Sequence, residues 1–429
     1  MGHRATGERT GRLRRSARTA VITLCVTGLF GAPVLPAQAD EGPRAQNDDP
    51  GTVLNNGECD FPADPIAGTP WALQRLLFDQ IWEETKGKGV EVAVIDSGTD
   101  NQHPQLKSAV SKGRDVITKK GDGTSDQAGH GTKVGGIIAA RPADGTGFVG
   151  IAPEATLFPI RQNDNEVKGT VKTMVQAIDA AISRKVDIIN ISQGTSAQLA
   201  DDSPLHRAVA RAQRANILVV ASAGNDGASG QEKDNFPASI PGVLGVAASD
   251  RNNERAGFSQ SGKAVDIAAP GIDIVSTVPG AGHCVDNGTS FAAPYVAGVA
   301  ALVRAKYPKW DYKQVSWHLQ QTADRASLDR DNYVGWGVVD PMAALSGDGE
   351  PPAGPPAPDK AENTGVNADN IIPAPVVLGE TPQERRVRYG LYIFTGGVLG
   401  VAVVVGTSIA IRDWRRKTSH NLHGEAING

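Results

Sequence analysis

Short apolar runs alternating with helical spacing constrain this chain more than any other feature. Residues 90–95, 155–160, 186–191, 217–221, 243–247 and 265–268 read as strands, while residues 71–85, 171–184 and 205–215 carry helical spacing. Strands apolar on both faces must be covered on both, so the pattern predicts an α/β fold: a parallel sheet between two helix layers. In such sheets the site lies at the carboxyl ends of the strands. Asp96, Ser192 and Asn225 all stand at those ends.

A second stretch, Asn287-Gly288-Thr289-Ser290-Phe291-Ala292-Ala293-Pro294, is a turn leading into a small-residue helix expected over residues 295–306. A serine at a helix start lies among free backbone N–H groups and the positive end of the dipole, which suits a nucleophile whose product is an oxyanion. Equally, Thr289 or Ser290 could simply cap the helix. Acyl transfer by serine further needs a base and a carboxylate to orient it.

Residues 40–388 hold five histidines: His103, His130, His206, His283 and His318. His130, between Gly129 and Gly131 at the start of a helix, can face a cleft. His283 competes through its closeness in sequence to Ser290, but residues 280–288 read as a glycine-rich loop. His206 and His318 read as solvated. Asp96 before Ser97-Gly98 is a turn former or the orienting carboxylate. Asn225 could aim its amide at a developing oxyanion, with the Ser290 backbone N–H as second donor.

In the order Asp96, His130, Asn225, Ser290, these motifs resemble the subtilisin-like serine proteases. The resemblance rests on Asp96-Ser97-Gly98, His130-Gly131-Thr132, Ser222-Ala223-Gly224-Asn225 and Gly288 to Pro294, and it covers residues 71–345. It implies Ser290 as nucleophile, His130 as base and then acid, Asp96 as its orienter and Asn225 as oxyanion donor. It further implies that Ser192, Gln193 and Gly194 bind an extended peptide by strand addition. Lys133 and Gly135 depart from the family pattern and alter cleft charge at most. No cofactor is expected, and no aspartate-rich loop reads as a metal site.

The ends of the chain supply an address. Six arginines between Arg4 and Arg18, an apolar stretch over 20–35 and Ala37-Gln38-Ala39 read as a signal peptide, residues 1–39. Its removal leaves Cys59 and Cys284, which most simply pair in an oxidising compartment. Residues 40–69 read as an extended arm, 70–346 as the catalytic domain, and 347–388, with eight prolines, as a stalk. Residues 389–411 hold 23 uncharged positions, about 35 Å of helix and enough to cross a bilayer. Residues 412–429 are then a cytoplasmic tail. The net charge of −4 offers no case for nucleic acid.

This layout is similar to that of mycosins, the membrane-anchored proteases of type VII secretion systems. It implies an extracytoplasmic enzyme that cleaves secreted proteins, meets components of the secretion membrane complex, and is wrapped by its N-terminal arm. Two alternatives are a scaffold with dispensable proteolysis and a general tethered protease.

Overall fold

The computed structural model describes residues 59–74, 78–163, 169–347, 349–359 and 382–424. The expected signal peptide and most of the arm lie outside them. The described residues form two units, a body that ends by residue 360 and a C-terminal helix.

In chain order the body contains α1 (Trp71–Gln74), α2 (Phe78–Glu84), β1 (Glu91–Asp96), β2 (Arg114–Asp115), α3 (His130–Ala139), β3 (Thr156–Arg161), α4 (Val171–Arg184), β4 (Ile188–Ile191), α5 (Pro204–Arg214) and β5 (Leu218–Ser222). There follow β6 (Leu244–Ser249), β7 (Ile267–Pro270), β8 (Ile274–Thr277), β9 (His283–Asp286), α6 (Thr289–Lys306), α7 (Tyr312–Gln321) and α8 (Pro341–Leu345). The expected helix over 71–85 is thus two helices, α1 and α2.

Seven strands form one sheet in the order β2-β3-β1-β4-β5-β6-β7, and every pairing is parallel. The side-chain period of two divides each central strand between two cores. Val92 and Val94 of β1, with Leu218 and Val220 of β5, join the cluster built around α3 and α6. Ala93 and Ile95, with Val219 and Ala221, join the cluster around α4 and α5. That division is why the strands read as apolar throughout. Helix α4 starts in a capping box between Thr170 and Thr173 and ends at Lys185 in the left-handed conformation.

Two local expectations are corrected. Helix α6 begins at Thr289, one full turn and more before residue 295, and takes Pro294 inside it. The proline removes one ladder bond near the N-terminus, where few are yet formed. Ala292, Ala293, Ala297 and Gly298 are buried, so the helix passes close beneath the sheet. The second correction concerns residues 280–288. Strand β9 pairs antiparallel with β8, with Thr277 opposite His283 and Ile274 opposite Asp286. Gly280 and Gly282, both at positive φ, form the turn between them.

Residues 349–359, within the proline-rich stretch, contact the body. Gln321 donates to the Gly354 carbonyl at 3.0 Å, and Arg325 pairs with Asp359 at 3.1 Å. The second unit is helix α9 (Pro382–Gly424), in which residues Arg386–Arg415 are long and apolar enough to cross a membrane.

Candidate active site

Asp96 ends β1, the strand flanked by β3 and β4, and its side chain is 1% exposed. Its Oδ1 accepts from the Ser97 N–H at 2.8 Å and lies 2.8 Å from His130 Nδ1. Oδ2 is buried without a partner among the described residues, so the bonds to Oδ1 carry the compensation of the charge. A carboxylate only accepts, so the contact puts the proton of a neutral His130 on Nδ1 and leaves Nε2 as the acceptor nitrogen. The His130 side chain is 34% exposed, which leaves the ring reachable from solvent.

The loop before His130 is held from below. Asp126, buried and not singled out from sequence, accepts from the N–H groups of Gly129 at 2.9 Å and Thr132 at 2.8 Å, and from the Thr132 hydroxyl at 2.7 Å. Gly129 has φ 77°, which a residue with a side chain adopts only under strain. At Gly131 a Cβ would lie 3.0 Å from the Asp96 Cβ, so only glycine lets α3 approach β1 this closely. The Ser97 hydroxyl accepts from the Gly131 N–H at 2.9 Å and ties the two motifs together.

Electrostatics follow from this packing. Burial pushes the His130 pKa down, but the Asp96 charge and hydrogen bond outweigh it, and the net shift is upward. Asp126 adds to the rise, whereas Lys133 opposes it. Burial raises the Asp126 carboxyl itself, against the pull of its Thr132 bonds. Lys133 is neutralised by Asp286, 2.8 Å away on β9.

At the start of α6 neither Thr289 nor Ser290 caps the helix; the N-cap is Gly288, without a side-chain bond. Thr289 serves Asn225 instead. Its N–H and hydroxyl both donate to Asn225 Oδ1, at 3.0 and 2.8 Å, and its oxygen accepts from the Gly224 N–H at 3.3 Å. With Oδ1 engaged, Asn225 turns its NH2 away from Thr289, as an oxyanion donor requires. Ser290 follows, half-buried, in the first turn of α6. The Phe291 ring lies 5.4 Å from the His130 ring and brings that turn against the histidine. No hydrogen bond joins Ser290 to His130 here; such bonds tighten when substrate binds.

Ser192, Gln193 and Gly194 follow β4 directly. Ser192 is buried and accepts from Asn190 at 2.9 Å, while Gln193 donates to the Ile95 carbonyl at 3.2 Å, next to Asp96. Gly194 is exposed. These three therefore lie beside the Asp96 strand end.

The competing histidines are placed elsewhere. His283 has both nitrogens engaged: Nδ1 accepts from the Ile66 N–H at 3.1 Å and Nε2 faces Gln105 Oε1 at 2.6 Å. Burial pushes its pKa down to about 4, with His103 adding to the shift. His103 accepts from the Gln105 N–H and faces the Gly282 carbonyl, and burial lowers it too. The two residues read as solvated are also partnered. His206 faces the Ser203 hydroxyl at 2.8 Å, and His318 faces the Ala344 carbonyl at 2.8 Å beside Trp310.

Cys59 and Cys284 form a disulfide, Cα atoms 5.9 Å apart. It fastens the described part of the arm to β9. Ala63 donates to Ala281 and Asp64 accepts from His283, so the arm follows the hairpin backbone. The Phe61 ring packs over Gly129, immediately before His130. Among the described residues no cluster of three or more His, Cys, Asp or Glu side chains is arranged to hold a metal ion.

A family model described as the subtilase family matches residues 87–337. Subtilisin E of Bacillus subtilis (strain 168) is 38% identical over 259 residues, 60% of this chain and 66% of that protein, just under two thirds of its length. Subtilisin Savinase of Lederbergia lenta is 37% identical over 64% of this chain and 98% of its own. Among solved structures, the MycP3 protease from the type VII (ESX-3) secretion system matches with a TM-score of 0.62 at 32% identity, covering 70% of this chain and 92% of that one. MycP1 from Mycobacterium smegmatis matches with a TM-score of 0.61 at 31% identity, over 73% of this chain and 91% of that one. The chain belongs to the subtilase family, peptidase S8.

Proposed function

We propose that the protein is a membrane-anchored serine endopeptidase of the mycosin kind, acting outside the membrane on secreted proteins of a type VII secretion system. The Asp96–His130 contact of 2.8 Å at the end of β1 carries the catalytic part of this reading. Ser290 attacks the peptide carbonyl as His130 Nε2 takes its proton, and Asp96 stabilises the imidazolium that forms. Asn225 and the Ser290 N–H hold the oxyanion. His130 then protonates the leaving amine, and water reverses the sequence to release the acyl fragment. The substrate lies as an extended strand along Ser192, Gln193 and Gly194.

The anchoring part rests on the apolar stretch Arg386–Arg415 and on the expected leader over residues 1–39. On this reading the catalytic body lies outside and residues 412–429 in the cytoplasm. The domain limits read from sequence, with the catalytic domain over 70–346, belong to the same proposal. Components of the secretion membrane complex are the expected partners.

Ser290→Ala in the full chain in detergent tests the chemistry. It should lower kcat on the order of 10^6-fold without loss of fold; unchanged peptide hydrolysis would refute the nucleophile. A second reading, support of the secretion complex without proteolysis, is favoured by one observation. A solved relative, MycP1, is described as an essential component of the type VII (ESX-1) secretion system. Rescue of secretion in a deletion strain by Ser290→Ala would favour that reading, and failure of rescue the protease.

A further inference from the structure

We propose that Lys133 and Asp286 are positioning residues for Ser290 and His130: together they hold the first turn of α6 against the His130 ring and balance the charge that faces it. The inference rests on the protease reading above and adds two residues to the machinery of that reaction. Lys133 stands three positions after His130 on α3, so the two side chains share one helix face. Asp286 ends β9, four residues before Ser290. The 2.8 Å contact between Lys133 Nζ and Asp286 Oδ2 therefore joins the segment that bears the base to the segment that leads into the nucleophile.

Phe291, next to Ser290, completes the arrangement. Its ring centre lies 5.4 Å from that of His130 and 6.0 Å from Lys133 Nζ, so one ring rests against both side chains of the α3 face. An ammonium over an aromatic ring is attracted to it, and the seated ring fixes the turn that presents Ser290. Both ends of the ion pair are anchored. The Ser276 hydroxyl of β8 donates to the Lys133 carbonyl at 2.6 Å, and the Thr277 hydroxyl donates to that of Thr132 at 2.9 Å. Asp286 Oδ1 accepts from the Asn287 N–H at 2.8 Å, and Asn287 Oδ1 accepts from the Asp273 N–H at 2.7 Å. Lys133 is only 9% exposed. A lysine so buried needs a partner, and Asp286 is the carboxylate that meets it.

The charged groups acting on His130 are Asp96 from β1, Asp126 from the loop before α3 and Lys133 from α3 itself. The two carboxylates favour the protonated ring and Lys133 opposes them, while Asp286 offsets Lys133 from β9. Removing the ammonium and removing its counter-ion thus act on His130 in opposite directions, which a loss of packing would not do.

The test uses the full chain in detergent, with kcat and KM for one peptide followed across pH. Lys133→Met removes the cation and should move the acidic limb of kcat/KM up by about half a pH unit. Asp286→Asn leaves the cation uncompensated and should move the limb down by about the same amount. The double variant should place the limb between the two. It should still lower kcat about tenfold, with KM changed less than about threefold, because Phe291 has lost its cation. Lys133→Arg keeps the charge and should leave the limb in place. Where Asp286→Asn does not fold, Lys133→Met and Lys133→Arg decide, the first moving the limb and the second not. Limbs that stay put in the single variants or move the same way in both overturn the proposal. So does an unchanged kcat in the double variant, or a limb displaced as far by Lys133→Arg as by Lys133→Met. Each of these outcomes leaves the protease reading intact. An unsubstituted chain that neither cleaves any peptide nor is labelled at Ser290 by an organophosphorus reagent overturns both.

Discussion

His130 and His283 each follow a glycine in a stretch of small residues, yet they end in opposite states. His130 faces the Asp96 carboxylate, keeps a third of its side chain exposed and is shifted toward the charged form. His283 faces a backbone N–H and a side-chain amide, and burial holds it neutral down to about pH 4. A histidine whose Nδ1 meets a carboxylate can accept a proton on Nε2 and be stabilised. One whose Nδ1 already accepts an amide hydrogen loses that bond on protonation. The same residue type is therefore fitted to accept a proton at one place and fastens the arm at the other.

The largest test of this contrast is Asp96→Asn. With the carboxylate gone the ring loses both its orientation and its charge partner, and kcat should fall about 10^4-fold. The pH profile sharpens the test. A base shifted upward is competent only above its raised pKa, so the acidic limb of kcat/KM should lie above pH 6.5 in the unsubstituted chain. In Asp96→Asn the limb should move to lower pH, because the charge and hydrogen bond that outweigh burial are then gone. An unmoved limb would break the pairing.

A second test bears on the fastener. Replacing Cys59 and Cys284 together by serine should cost about 2–4 kcal/mol in denaturant unfolding, because the bridge closes a long loop. Peptide hydrolysis at 25 °C should change less than the stability does. A loss of kcat comparable to that of Asp96→Asn would mean that the arm belongs to the catalytic machinery, and the contrast would fail.

The third and smallest effect is the pH dependence of stability. His283 has a depressed folded pKa, so its contribution is complete above pH 6.5 and is lost as pH falls through about 4. His103, also lowered, adds in the same direction. Unfolding free energy should decline across this window. His283→Gln should flatten the decline and cost about 1–3 kcal/mol at neutral pH through the unmatched Ile66 N–H. An equal decline in the variant would remove His283 from the account.

Much of this is legible in the amino-acid sequence. The parallel sheet follows from strands apolar on both faces, because only a doubly covered strand can be apolar throughout. The reading of Asp96, His130, Asn225 and Ser290 draws on strand ends and flanking glycines and is completed by the resemblance of their order to that of subtilisin-like proteases. Less visible are the groups that act by support. Asp126 stands four residues before His130 in a polar loop, and its role emerges only when four donors converge on it. Thr289 has the local pattern of a cap, but its hydroxyl reaches 64 residues back to Asn225. Hairpin β8–β9 is hidden by its four-residue strands, too short to show a period.

The layers of the fold are written in the chain itself, since local pattern suffices for them, whereas the residues read for acyl transfer are legible through the resemblance of their motifs to those of subtilisin-like proteases. Long-range packing alone settles that the arm follows the β8–β9 backbone, that Thr289 holds Asn225, and that Asn235 lies between Gly194 and Gly224. Each of these joins segments distant in the chain, and no local pattern encodes which side chains the packed sheet will bring together.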